Sequence, residues 1–345
     1  MQALILAGGK GTRLRPLTVY TPKPIVPILN QPLLLRQVDL LREAGITDIT
    51  LSLSYQPDKI EQIMGNGSEF GVKLRYITEP SPLGTGGAYR FAADSGDEAT
   101  IVLNGDILTD IDLTEMIKFH QERGSEATIA LIPVDEPDHY GVAETGENGR
   151  ILRFIEKPAK DEFPQSVNTV NAGIYLLEPT ILELIARDTN RSFEYHVFPE
   201  ILERNMPFFG FEIKNRYWID IGTPETYLKA NLELLSGRIA GLNVERHIGD
   251  DVATHAEIDG ISVIGEGCSI KPGARVTNSV IGPGVHLEEK VLIENSVIWS
   301  HTRIASFAEI RDSVIGRGCH VGRNAMVGAG TVLGDKTSLT DYTRV

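Results

Sequence analysis

Hydrophobic and polar positions follow two different patterns along this chain, and the change comes at Gly237. Before it, short apolar runs alternate with amphipathic stretches. Strand-like runs cover residues 3–7, 49–54, 72–78, 100–104 and 127–134. Helical patterns lie between them at 33–43, 58–64, 86–94 and 112–123. Such alternation predicts an α/β domain with a mainly parallel sheet, covered on both faces. Ligands of such sheets bind beyond the carboxyl ends of the strands. From Tyr140 the pattern is mixed. Strands are expected at 141–144, 151–155, 172–177, 208–213 and 217–221, and helices at 180–186 and around 196–204. A last helix, 224–235, is expected to stop at Gly237.

Past Gly237 apolar residues recur every six positions: Val252, Ile258, Ile264, Ile270 and Val276. Single steps of five then lead to Ile281, Ile298 and Ile315, which gives a period of 17. Ser-Val-Ile recurs in phase from Ser262, Ser279, Ser296 and Ser313. Glycine follows at 265, 282 and 316, and only Trp299 breaks that column. A hexapeptide period of this kind predicts a parallel β-helix with three flat faces per coil. One coil cannot bury its core alone, so neighbouring coils must stack. Cys268 and Cys319 fall in one column, three periods apart. At about 4.8 Å per coil they are on the order of 14 Å apart, beyond disulfide reach.

Domains are therefore expected at 1–237 and 238–345. With a net charge of −14 the chain is acidic, yet its first acidic residue is Asp39. Lys10, Arg13, Arg15, Lys23 and Arg36 all precede it. One concentrated basic segment suits a small anionic substrate, whereas nucleic acid needs an extended basic face. No apolar run is long enough to span a membrane, and no secretory leader is evident. Two cysteines do not make a disulfide scaffold, so a cytoplasmic location is expected.

That basic segment is also the main chemical signal. Gly8-Gly9-Lys10-Gly11-Thr12-Arg13 follows the first apolar run, and Pro22-Lys23-Pro24 comes soon after. Glycines let backbone N–H groups approach an anion, and a guanidinium grips phosphate bidentately. No Gly-Lys-Ser/Thr closes the loop, so it is not a Walker A motif. A dinucleotide fingerprint fits poorly, because Arg15-Pro16 interrupts the helix that should begin there. A polyphosphate held by Arg13 and Lys23 calls for a divalent cation, and Mg²⁺ prefers one or two carboxylates plus phosphate oxygens. Asp106 closes an apolar run after Gly105, and Asp220 sits inside Trp218-Ile219-Asp220-Ile221. Both are candidate ligands. A second anion site is suggested by Glu156-Lys157-Pro158 at a strand end.

These motifs resemble those of the sugar-1-phosphate nucleotidylyltransferases. The resemblance runs through the glycine loop with Pro22-Lys23-Pro24, Glu79-Pro80 with Leu83-Gly84-Thr85-Gly86-Gly87, and Asn104-Gly105-Asp106. It continues through Tyr140-Gly141-Val142, Glu156-Lys157-Pro158, Asn171-Ala172-Gly173 and Trp218-Ile219-Asp220. It implies a Rossmann-like domain with a mixed, mainly parallel sheet, followed by a left-handed parallel β-helix. It also implies that Leu6, Ala7, Gly8, Gly9, Gly11, Thr12 and Arg13 hold a nucleoside triphosphate. Arg13 and Lys23 would neutralise its phosphates, and Glu79 and Gly84 would face its base. Asp106 and Asp220 would hold Mg²⁺. Gly141, Glu156 and Asn171 would hold the sugar, and Lys157 its phosphate. Residues 83–87 look most like those of guanylyltransferases acting on mannose or heptose 1-phosphate. Glu79 could accept from the N1–H and amine of guanine, so GTP is favoured over dTTP and UTP.

Two other classes compete. One is a β-helix acyltransferase using His286, His301 or His320, although no long inserted loop is present to build an acyl-CoA site. The other is a non-catalytic regulatory subunit, against which the intact Arg13, Lys23, Asp106, Lys157 and Asp220 speak. The β-helix is expected to drive homo-oligomer formation and to supply no catalytic group.

Overall fold

The computed structural model describes residues 1–93, 98–159, 162–164, 167–239, 251–252 and 255–345. They form two compact units. One comprises Met1–Gly9 with Leu34–Trp218, the other Lys10–Leu33 with Ile219–Val345. Among the described residues no helix is long and apolar enough to cross a membrane.

The first unit is built on a nine-stranded sheet. Its strands are β1 (Gln2–Leu6), β2 (Asp48–Leu53), β3 (Lys73–Thr78), β4 (Thr100–Asn104), β5 (Ala127–Pro133), β6 (Gly141–Thr145), β7 (Ile151–Glu156), β8 (Thr169–Leu177) and β9 (Phe208–Glu212). The main path runs β7-β6-β8-β4-β1-β2-β3; off it, β5 pairs with β8, and β9 pairs with β5. β4, β1, β2 and β3 are parallel, as the strand–helix alternation requires. Long β8 runs antiparallel to β4 and makes the sheet mixed. The helices are α1 (Leu33–Glu43), α2 (Pro57–Met64), α3 (Gly84–Ala92) and α4 (Leu113–Arg123). Asp112 caps α4 by accepting from the Glu115 N–H at 2.9 Å. The expected end of the third helix at Asp94 lies outside the described residues.

One expected helix takes another form, and a second forms behind an unexpected turn. Residues 180–186 instead form a 3₁₀ turn, Pro179–Leu184. Its buried residues Ile181 and Leu184 are three apart, a spacing that a three-residue turn brings to one face. Around 196–204 a π turn, Phe193–Val197, leads into α5 (Phe198–Glu203). Phe193 and Phe198 are five apart, and the wider turn stacks their rings with centroids 5.6 Å apart. Both rings join Val102, Ile129 and Tyr175 in the main core.

The second unit contains α6 (Pro224–Leu235) and three parallel β-helix sheets of six, five and five strands. Every apolar residue of the six-step pattern falls on a ladder. Val276, Ile293 and Ile310 pair in turn on one face, and Ile281, Ile298 and Ile315 on another. The offset is 17 in the middle and 18 at the ends, as in Val252↔Ile270 and Val314↔Val332. The repeated serine has a specific job. Each buried Oγ accepts from the next coil's serine N–H: Ser262 from Ser279, Ser279 from Ser296, and Ser296 from Ser313, at 3.0–3.2 Å. Cys268 and Cys319 are buried and free. Gly237, with φ +81°, ends α6 as expected.

Candidate active site

In the first unit, β1 and β4 end side by side, with Leu6 opposite Asn104. The loop after β1 therefore lies against the turn that carries Asp106. The Gly105 N–H donates to the Leu6 carbonyl at 2.9 Å. A Cβ on Gly105 would sit 2.7 Å from that oxygen, so only glycine permits the approach. Gln37 was not singled out by the sequence. Its buried amide donates to the carbonyls of Asn104 (2.8 Å) and Ile107 (2.9 Å) and so clamps the Asp106 turn from both sides. Only its position in the fold reveals this, because the same glutamine reads as a polar residue inside an amphipathic helix.

Glu79 ends beside this loop. Its carboxylate accepts from Ser52 Oγ (2.8 Å) and from the Leu83 N–H (3.1 Å). The Ser54 hydroxyl donates to the Gly8 carbonyl. Gly84 has φ +72°, and a Cβ there would press within 2.7 Å of the Arg191 carbonyl. Glu79 thus braces the Leu83–Gly84 turn, and each carboxylate oxygen keeps further acceptor capacity.

Three of the four expected sugar-phosphate residues lie on β6, β7 and β8, and the fourth, Lys157, directly follows β7. Glu156 pairs with Gly141 in the ladder, and a Cβ on Gly141 would meet the Glu156 carboxylate at 2.6 Å. Lys157 has φ +48°, and its N–H donates to the Tyr140 carbonyl at 3.0 Å. A bulge between Asn171 and Tyr175 breaks the β8 register and redirects side chains there. Asn171 donates to Tyr175 Oη (3.0 Å), and Tyr175 donates to Glu194 (3.1 Å). Glu194 also accepts from Thr85 Oγ1 at 3.0 Å. The sequence reading missed Glu194, because no motif surrounds it. Burial, and then the Glu194 charge, raise the Glu156 pKa above its usual range, while Lys157 opposes the rise.

In the second unit, Gly11 opens the segment in left-handed geometry. Thr18 Oγ1 donates to the Gly11 carbonyl at 2.6 Å. Arg13 Nη2 lies 3.9 Å from Asp220 Oδ2, and Lys23 Nζ 3.9 Å from Oδ1. Lys23 is 8% exposed, whereas the Arg13 side chain is 68% exposed. One carboxylate thus lies near two cations, which offsets the cost of its partial burial. A Cβ on Gly222 would meet that carboxylate at 3.1 Å, so glycine keeps the group uncrowded.

Asp106 and Asp220 offer hard oxygen donors. Among the described residues no three His, Cys, Asp or Glu side chains converge as a metal cluster. Carboxylates acting in ones and twos with phosphate oxygens are the donor set that Mg²⁺ uses, so these residues fit it. His286, His301 and His320 are all exposed on the β-helix, in keeping with solvated histidines rather than a catalytic base.

The chain is similar to known proteins over most of its length. Residues 2–237 match the family described as nucleotidyl transferase, and residues 244–345 match the EIF2B subunit epsilon left-handed β-helix domain. The chain is 34% identical over 303 residues to a mannose-1-phosphate guanylyltransferase of Mycobacterium tuberculosis, covering 85% of this chain and 83% of that one. It is 33% identical to a UTP–glucose-1-phosphate uridylyltransferase of Synechocystis, covering 92% and 88% respectively. Among solved structures, a candidate glucose-1-phosphate thymidylyltransferase from Bacillus anthracis, in complex with sucrose, matches with TM-score 0.60 and 27% identity. That match covers 67% of this chain and 94% of the other.

Proposed function

The chain belongs to the nucleotidyl transferase family, and from that premise we propose that it joins a nucleoside triphosphate to a sugar 1-phosphate. The products are a nucleoside diphosphate sugar and pyrophosphate. The single observation that carries the reading is the gathering of Gly141, Glu156 and Asn171 on adjoining strands, with Lys157 at the end of one of them, in a chain whose glycine loop leaves the same sheet.

A phosphate oxygen of the sugar 1-phosphate attacks the α-phosphorus in line, the bond to the β-phosphate bridging oxygen breaks, and pyrophosphate leaves. A phosphate dianion is already nucleophilic, so no protein nucleophile or general base is needed. Catalysis is positioning and charge neutralisation. The loop at residues 6–13 holds the triphosphate, with Arg13 and Lys23 neutralising its charge. Lys157 holds the sugar phosphate, while Gly141, Glu156 and Asn171 orient the sugar. Asp106 and Asp220 would hold Mg²⁺, which would supply charge neutralisation on the phosphates when bound.

GTP and mannose 1-phosphate are the proposed substrates. Support comes from the Glu79 carboxylate, whose acceptors suit a guanine edge, and from the guanylyltransferase named among the relatives. The named uridylyltransferase makes UTP with glucose 1-phosphate the second pair to test. A cytoplasmic location and a homo-oligomer formed through the β-helix complete the proposal. Two free, buried cysteines fit a reducing compartment.

A panel of GTP, UTP, dTTP and ATP with their usual sugar 1-phosphates, read by pyrophosphate release, tests the reading. GTP with mannose 1-phosphate should turn over fastest, and Asp106→Asn should lower kcat by a factor on the order of 10². Preference for another pair overturns the base assignment. No release with any pair overturns the activity.

A further inference from the structure

The segment that carries Arg13 and Lys23 ends in a strained hairpin, and the β-helix holds that hairpin. Pro27–Ile28 pairs with Gln31–Pro32 through a two-residue turn, Leu29-Asn30. Both turn residues have positive φ, 48° and 65°. Asparagine tolerates this conformation, but leucine rarely adopts it, so the surroundings must enforce it. Leu29 is buried, and its N–H donates to Asn231 Oδ1 on α6 at 2.9 Å. Asn30 Nδ2 donates to the Ile281 carbonyl of the β-helix at 2.9 Å.

A second connection runs through the one residue that breaks the glycine column. Trp299 is buried at 2% exposure, and its Nε1–H donates to Tyr227 Oη at 2.9 Å. Tyr227, itself fully buried on α6, donates its hydroxyl proton to the Pro27 carbonyl. The Trp299 substitution in an otherwise glycine-bearing column therefore has a partner and a direction. Two coils on, in the same column, a Cβ on Gly334 would lie 3.0 Å from Pro16 Cβ. Three coils thus touch the Lys10–Leu33 segment or the α6 residue that braces it.

We infer that Trp299, Tyr227 and Asn30 are positioning residues: through them the β-helix fixes the hairpin and, with it, the backbone that presents Lys23 and Arg13 to the triphosphate. The inference rests on the triphosphate role proposed above for those two cations. It gives the β-helix a part in substrate binding without any reacting group of its own. The hairpin starts four residues after Lys23, and the Val26 N–H donates to the Lys23 carbonyl at 3.1 Å. The intervening turn, Lys23–Ile25, is short and buried. A loosened hairpin therefore shifts Lys23 directly.

Two conservative variants of the full chain test this. Tyr227→Phe keeps the ring and removes both hydrogen bonds. Asn30→Gly keeps the turn conformation and removes only the contact to Ile281. Each should raise KM for GTP on the order of tenfold, or for whichever triphosphate the panel selects, and leave KM for the sugar 1-phosphate unchanged. Equilibrium binding of the same triphosphate should weaken by a similar factor. Trp299→Phe should fall between these variants and the parent, because it keeps the ring packing and loses one donor. Unchanged triphosphate KM in variants shown by circular dichroism to be folded overturns the inference, as does an equal rise in both KM values. A parent chain that releases no pyrophosphate overturns the activity instead, so the two failures are distinguishable. Should Tyr227→Phe not fold, Asn30→Gly decides.

Discussion

Glu156 shows how single residues acquire properties that their own chemistry does not give them. As a free side chain it would lose its proton well below neutrality. Here burial and the Glu194 carboxylate hold the proton on to higher pH, with Lys157 working against them. A glutamate accepts sugar hydroxyl hydrogen bonds most strongly when it is ionised. Its raised pKa therefore predicts that KM for the sugar 1-phosphate climbs as pH falls, beginning at higher pH than an ordinary glutamate would give. Glu156→Gln should bind the sugar phosphate weakly and without that acid dependence. A KM–pH profile unchanged by the substitution would remove Glu156 from the sugar site. At this scale the motif residues were legible in the sequence, because glycine loops and Glu-Lys-Pro carry their chemistry locally. Gln37 and Glu194 were not legible, since each works on groups distant in sequence: Asn104 and Ile107 for one, Thr85 and Tyr175 for the other.

Elements were best read where the hydrophobic period was long and uninterrupted. Residues 33–43 and 224–235 formed as expected, because one periodic face decides both type and length. Short segments were settled by packing instead. The π turn before α5 exists because Phe193 and Phe198 both enter one core. The β-helix rewards the same analysis with a mechanism for its Ser-Val-Ile repeat. Valine and isoleucine fill the face, and serine supplies an acceptor for the N–H one coil up. Ser296→Ala would leave the buried Ser313 N–H without that acceptor. The expected cost is about 1–3 kcal/mol, visible as a lower denaturant midpoint with little change in slope. A midpoint equal to that of the parent would show that the ladder contributes no stability.

Across the whole molecule, the β-helix stacks five to six strands on each face. Its C-terminal coil is less covered: Val332 and Leu333 are only half-buried where Ile293 and Ile310 are fully buried. Partly covered apolar residues beside an open strand edge suit association with a second copy. Light scattering of the full chain should give a mass well above that of one chain, and replacing Val332 with aspartate should shift it downward. A monomer mass for the parent would reject self-association.

By itself the sequence determined the class of both folds, the inward column of the β-helix, and the motifs of a phosphate-handling enzyme. Each rests on a local or strictly periodic signal, and burial can satisfy such a signal in only one way. Tertiary structure alone decided which chain segments share a unit. Lys10–Leu33 falls in one compact unit with Ile219–Val345, whereas Met1–Gly9, just before it in sequence, falls in the other. That choice depends on single long-range contacts, such as Trp299 with Tyr227 and Asn30 with Ile281. Such contacts leave no period in the sequence, because each is made once, between residues whose separation along the chain carries no information about their distance in space.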